Sequence, residues 1–491
     1  MKYVSTRDKN ARGVSSAEAI KTGLAPDGGL FMPESIPSLT EDDFRSLAVL
    51  DYPGRAAFIL SLFLDDYGIE RLDGYAREAY REERFPGGAA PLRKVSDGLF
   101  SLELWHGPTC AFKDMALQIM PRLLSGALTM TGERRTAHIL VATSGDTGKA
   151  ALEGYRDVPG VKITVFYPRD GVSRMQKMQM TTQEGGNVNV TAVEGNFDDA
   201  QTGVKRIFSD GAMRERADRE GTFFSSANSI NWGRLAPQIV YYVSAYCDLM
   251  NGGAIKYGDP VNYVVPTGNF GNIFAAFIAG KMGLPVGRLI CASNSNRVLT
   301  DFIETGVYDR NREFFKTISP SMDILISSNL ERLIFSVAGA ETTAALMDEL
   351  GRTGRYKVPA DVLAAVRETF SGYSADENET RDEIGKLFRE DGYLIDPHTA
   401  VGFRCAEKYF ADTGDGTVTV VASTASPYKF PADVCAALGD PVGSDDPAEA
   451  LNALSAATGT EIPAPLARVL TLPVRFTGSV SPDKMEDAIF G

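Results

Sequence analysis

The chain has 491 residues, 44% hydrophobic and 23% charged, enough apolar material for a large core or for two or three domains. A formal net charge of -14 at pH 7 repels nucleic acid and anionic lipid, so neither is expected as a partner. Five scattered cysteines, Cys110, Cys247, Cys291, Cys405 and Cys435, form no CxxC pair, which argues against a disulfide framework or a zinc knuckle. With no signal-peptide pattern and no membrane-length apolar run, the expectation is a cytoplasmic enzyme or binding protein.

Residues 1–90 contain helix-like stretches after Ser38 and Tyr52. Turn chemistry is dense at Asp27-Gly28-Gly29 and at Phe85-Pro86-Gly87-Gly88, and the second cluster marks a boundary. Beyond it, short apolar runs alternate with helical spacing. The runs 137–142, 161–167, 188–193, 262–265, 289–292 and 418–422 read as strands. Met115, Ala116, Ile119, Met120, Leu123 and Leu124 have helical spacing, as do Ile273, Phe274, Phe277 and Ile278. Such alternation implies an α/β fold with a mostly parallel sheet covered on both faces. Residues 340–395 are charged and helical in pattern, and the acidic run 376–379 reads as a solvated helix start.

In these folds ligands sit beyond the carboxyl ends of the strands, so motifs just after strands carry most weight. Ala142-Thr143-Ser144-Gly145-Asp146-Thr147-Gly148 follows one strand and opens a helix, whose free N–H groups suit a carboxylate or phosphate. Alone it reads equally as an ordinary capped turn. Pro266-Thr267-Gly268-Asn269-Phe270-Gly271-Asn272 follows another strand and has the makings of an anion nest, without the lysine of a nucleotide-binding P-loop. Ala422-Ser423-Thr424 ends a third strand with a hydroxyl. The stretch Trp105-His106-Gly107-Pro108-Thr109-Cys110-Ala111-Phe112-Lys113-Asp114 puts a lysine at the mouth of a helix. Partial desolvation there favours the neutral amine that a carbonyl cofactor requires, although alone the residue reads first as an ordinary surface lysine in a first helical turn.

Taken together these segments resemble the threonine synthase family. HGPTCAFKD resembles its cofactor-lysine motif, ATSGDTG its substrate-carboxylate loop and PTGNFGN its cofactor-phosphate loop. GLAPDGGLFMPESIP and SSANSINWGRL resemble its N-terminal and central segments, and the likeness runs to about residue 430. The resemblance implies the tryptophan synthase β-like fold type II, with two open twisted mostly parallel sheets flanked by helices and an extra N-terminal segment. It divides the chain into 1–90, a pyridoxal-phosphate core at 91–430 with a smaller subdomain at about 125–225, and a C-terminal segment at 431–491.

The family is a carbon–oxygen lyase that converts O-phospho-L-homoserine and water to L-threonine and phosphate. By motif, Lys113 would hold pyridoxal phosphate as a Schiff base and act as acid and base. Gly268, Asn269, Phe270, Gly271 and Asn272 would line the cofactor phosphate, and Thr424 would face the ring nitrogen. Thr143, Ser144, Asp146 and Thr147 would hold the substrate carboxylate. Asn228, Ser229, Asn231 and Arg234 are the expected phosphate donors, with Lys149, Arg174 and Lys177 as further cations. His106 is placed to touch substrate, and His138 reads as structural. The three histidines have no metal-ligand spacing, so no metal is expected. A phospholyase releasing 2-oxobutyrate on the same scaffold stays open at this point, as does the choice between monomer and homodimer.

Overall fold

Each strand read from an apolar run is found in one of two mostly parallel sheets. The computed structural model describes residues 1–490 apart from 11, 144, 170, 171 and 445, and apart from the side chain of residue 198. The larger sheet has six strands in the order Phe370–Ser374, Val286–Ser293, Val261–Pro266, Thr419–Ser423, Leu99–Glu103 and Leu92–Ser96. All neighbours are parallel except the last pair, which forms an antiparallel edge. Val261–Pro266 is buried at every position because helices cover both faces, so it reads as a continuous apolar run and not as an alternation.

The smaller sheet has five strands, all parallel, in the order Ser479–Val480, Val188–Val193, Val161–Pro168, Thr136–Ala142 and Thr222–Ser225. Its outermost strand comes from the C-terminal segment, which crosses from the larger sheet to reach it. Arg475 Nη1 fastens that crossing by donating to the Gln183 carbonyl at 2.6 Å. Residues 1–80 form a two-stranded antiparallel sheet, Tyr3–Ser5 with Phe31–Pro33, with the helix Ser16–Thr22 between its strands and three helices after them. This segment leans on the core through Arg7, whose guanidinium makes a two-point pair with Glu331 at 2.8 and 2.7 Å.

Two sequence expectations change. The single helix read around Met115–Leu124 is two, Asp114–Leu117 and Met120–Met130, with Pro121 in the first turn of the second. The region 340–395 also includes a strand, Phe370–Ser374, between the helices Ala360–Thr369 and Glu377–Asp391. The acidic run does start the second of these helices: Asp376 and Glu379 form its capping box.

Candidate active site

The turn before Lys113 is built by its own aspartate. Asp114 folds back so that its carboxylate accepts from the Thr109 amide and hydroxyl, both at 2.8 Å. Cys110 takes a positive φ of 58° to close the turn. Residues 423–429 then hold the segment from the other side. Phe112 N donates to the Thr424 carbonyl at 2.8 Å, Ser426 N donates to the Cys110 carbonyl at 3.1 Å, and Ala111 and Ala425 form an antiparallel bridge. Lys113 therefore sits at the carboxyl end of Thr419–Ser423, in the centre of the larger sheet.

The Lys113 amine is buried, and burial lowers its pKa to about 8, against the opposing pull of Asp146. Nζ lies 3.5 Å from the Ser321 hydroxyl and 3.9 Å from Asp146 Oδ2. Asp146 is anionic in spite of its burial, because Lys429 and Lys113 hold it below the ordinary carboxylate range. Its other contacts are Lys429 Nζ at 2.8 Å, Gln176 Nε2 at 3.0 Å and the Ser321 hydroxyl at 3.4 Å.

The Ser321 loop couples this cluster to the turn after Val261–Pro266. A Cβ on Gly268 would lie 2.8 Å from the Ser321 carbonyl, so only glycine permits the approach. His398 anchors the loop by accepting from Ser321 N at 3.1 Å through Nε2, while Nδ1 faces Asp396 at 2.7 Å. Since Nε2 accepts, the ring proton is on Nδ1 and points at the carboxylate.

The glycine-rich turn is braced from outside. Asn329 donates to the Asn269 carbonyl through its amide at 3.1 Å and its side chain at 2.9 Å, and Ser327 donates to the Gly268 carbonyl at 2.7 Å. Phe270 adopts the left-handed conformation and packs its ring on Phe370. The Asn269 side chain is exposed. Asn272 accepts from the hydroxyls of Tyr241 and Tyr242, and its own Nδ2 is buried with no partner among the described residues.

The other motif residues divide into free and committed groups. Thr424 is a buried residue whose hydroxyl has no hydrogen-bond partner among the described residues, while its backbone N–H donates to Thr399 Oγ1 at 3.3 Å. Thr143 Oγ1 accepts from Gly145 N and Gly148 N, both at 2.9 Å, and so shapes its own turn. Thr147 is half-buried. Ser144 lies outside the described residues.

In the central segment, Ser229 Oγ accepts from Asn329 at 3.1 Å, next to the glycine-rich turn, and Asn228 is half-buried. Asn231 is fully committed. It caps the helix Trp232–Asn251 through Gly233 N and donates to the carbonyls of Ile20 and Ser226, so it has no donor left for a ligand. Its role is structural, in contrast to the expectation from sequence. Arg234 is buried and donates to the Ala227 carbonyl at 2.6 Å; among the described residues its Nε has no partner and no carboxylate pairs with it. Burial lowers its pKa to about 10.

Lys149 is buried against Glu153 and Gln183, while Arg174 and Lys177 are exposed. His106 pairs with Glu103 at 2.7 Å and stacks on Trp105. His138 contacts Thr164 at 2.9 Å, and burial lowers its pKa to about 4. The sequence reading did not single out Lys429, Ser321, Gln176, Asn329 or His398 as site residues. The only signal for Lys429 was its closeness to the Thr424 strand end.

These groups fit pyridoxal phosphate: a buried near-neutral amine, a free hydroxyl at a strand end, and an orphaned amide donor at a glycine-rich helix start. Three family models match the chain: threonine synthase N terminus over residues 2–80, pyridoxal-phosphate dependent enzyme over 90–424, and threonine synthase, C-terminal over 399–489. Threonine synthase of Pseudomonas aeruginosa is 38% identical over 450 residues, covering 88% of this chain and 89% of that protein. The chain belongs to the threonine synthase family.

Members of known structure agree with it throughout. The pyridoxal-phosphate-bound threonine synthase of Brucella melitensis superimposes with a TM-score of 0.88 at 36% identity, covering 100% of this chain and 98% of that one. The yeast threonine synthase gives 0.88 at 32%, with the same coverage. Human threonine synthase-like 1 is 40% identical over 435 residues, 86% of this chain, and the chain spans only 58% of that relative's length. Among the described residues, no helix is long and apolar enough to cross a membrane.

Proposed function

We propose that the protein converts O-phospho-L-homoserine and water to L-threonine and inorganic phosphate, with Lys113 as the lysine that holds pyridoxal phosphate. The observation that carries this is the Lys113 amine. It is buried, with its pKa lowered to about 8, and is presented beside Thr424 and the Gly268–Asn272 turn in a chain of this family.

In this reading the backbone of the Gly268–Asn272 turn and the orphaned Asn272 Nδ2 hold the cofactor phosphate, and Thr424 meets the ring nitrogen. Bound pyridoxal phosphate supplies the electron sink that lets protons leave the carbons of an amino-acid substrate. Lys113 moves those protons, since a pKa near 8 keeps both of its protonation states accessible near neutral pH. Thr147, Ser144 and the free N–H groups at the start of the helix Asp146–Tyr155 take the substrate carboxylate. The carboxylate of Asp146 would repel that group, so Asp146 contributes its backbone amide and leaves its side chain to the lysines.

Arg234 takes the substrate phosphate, aided by Asn228 and Ser229. A buried guanidinium without a counter-ion is costly until an anion arrives. The same proposal includes a cytoplasmic protein acting as a monomer or homodimer. All five cysteines are buried free thiols, which suits a reducing compartment.

The test is product analysis on purified protein supplied with pyridoxal phosphate and O-phospho-L-homoserine. Threonine equal to the phosphate released is the expected result. Phosphate accompanied by 2-oxobutyrate would overturn the reading in favour of a phospholyase.

A further inference from the structure

Two buried lysines face one carboxylate, and they do not share it equally. Lys429 is fully buried, holds Asp146 Oδ1 at 2.8 Å and donates to the Thr109 carbonyl at 2.9 Å. Gln176 Nε2 also binds Oδ1, at 3.0 Å. Lys113 Nζ reaches only the other oxygen, at 3.9 Å, beyond hydrogen-bond distance. The reaction proposed above leaves Lys429 without a task. A buried ammonium is expensive to keep, and this one is sealed from solvent behind the turn that carries Lys113.

The charged groups facing Lys113 are Asp146, Lys429, Arg234 and Asp114. Asp114 is tied to Thr109, and Arg234 is tied to the Ala227 carbonyl. Among the described residues, Asp146 is the one anion that could close on the Lys113 amine, and Lys429 already holds it.

We propose that Lys429 is a positioning residue: by occupying Asp146, it keeps that carboxylate from pairing tightly with Lys113 and leaves the Lys113 amine free for a carbonyl cofactor and for proton transfer. This rests on the reading of Lys113 as the cofactor lysine. Without the Lys429 charge, Lys113 is the nearest cation to Asp146 and closes on it. An opposite charge at contact favours the protonated amine, so Lys113 titrates at higher pH.

The experiment is competitive acetylation of cofactor-free protein across a pH series, with the Lys113 peptide quantified by mass spectrometry. The Lys429→Gln variant removes the charge and keeps a donor for Asp146 and the Thr109 carbonyl; Lys429→Met removes both, and Lys429→Arg retains the charge. Near-UV circular dichroism and melting show which variants are folded. Lys429→Gln and Lys429→Met are expected to raise the Lys113 midpoint by about one pH unit. At pH 7.5 they should also bind pyridoxal phosphate several-fold more slowly, while Lys429→Arg stays at the wild-type midpoint. A folded Lys429→Gln or Lys429→Met protein with a wild-type midpoint overturns the proposal. No substrate or turnover enters this measurement. Shifted midpoints in a protein that never makes threonine would support the positioning role and overturn the functional reading alone.

Discussion

The two glycine-rich strand–helix turns look alike in sequence and are put together in opposite ways. The turn of residues 143–148 closes on itself: Thr143 caps its N–H groups, and the Asp146 carboxylate is drawn into a buried charge cluster with Lys429. The turn of residues 268–272 is braced from outside by Ser327, Asn329, Tyr241 and Tyr242, and keeps a donor, Asn272 Nδ2, without a partner among the described residues. Glycines specify where the backbone can go. What a turn can bind is decided by side chains that arrive from distant parts of the chain.

Asp146→Ala is the strongest test of this contrast. It strands Lys429 as an unpaired buried charge, and unfolding in urea should show a loss of about 3–5 kcal/mol. A loss below 1 kcal/mol would mean that Lys429 is not held by charge.

The strand that feeds the same turn also gives it acid sensitivity. His138 titrates at about 4 when folded and near its ordinary 6.5 when unfolded. The unfolded state therefore binds more protons between these values, so stability falls as pH drops from about 6.5 to about 4. The total is about 3 kcal/mol. Comparing urea midpoints of wild type and His138→Gln across that range checks it, and the variant should show a flatter profile.

The second turn carries no such charge, so its variants should cost less. Asn272→Ala removes the acceptor shared by two buried tyrosine hydroxyls, at about 1–3 kcal/mol, and also weakens pyridoxal phosphate binding. Equilibrium unfolding and cofactor titration measure the two effects separately. The smallest expected effect is that of Arg234→Gln. It should raise KM for O-phospho-L-homoserine about tenfold, about 1.4 kcal/mol, with a lesser change in kcat. Steady-state kinetics that show an unchanged KM would remove Arg234 from the phosphate site.

Most of the sheet order rests on strands that were legible as apolar runs, because a parallel strand buried on both faces needs no partner to announce itself. Leu92–Ser96, Leu99–Glu103, Thr222–Ser225, Phe370–Ser374 and Ser479–Val480 were not legible. All but Leu99–Glu103 are short edge strands with Ser, Thr or Gly among their residues, and they are strands only because a neighbour pairs with them. The backbone of the site was visible in its turns. Its charges were visible only in part, since no local pattern says that Lys429 meets Asp146 or that His398 accepts from Ser321 N. Asn231 shows the converse case: a polar residue in a recognisable motif that the fold consumes as a helix cap.

Lys113 and Lys429 are both buried amines beside the same carboxylate, so the central claim is that only the first carries the cofactor. The most direct measurement is borohydride reduction of protein saturated with pyridoxal phosphate, followed by peptide mapping. The account predicts one pyridoxyl group, on the peptide containing Lys113. A label on Lys429, or no label on either lysine, would contradict it.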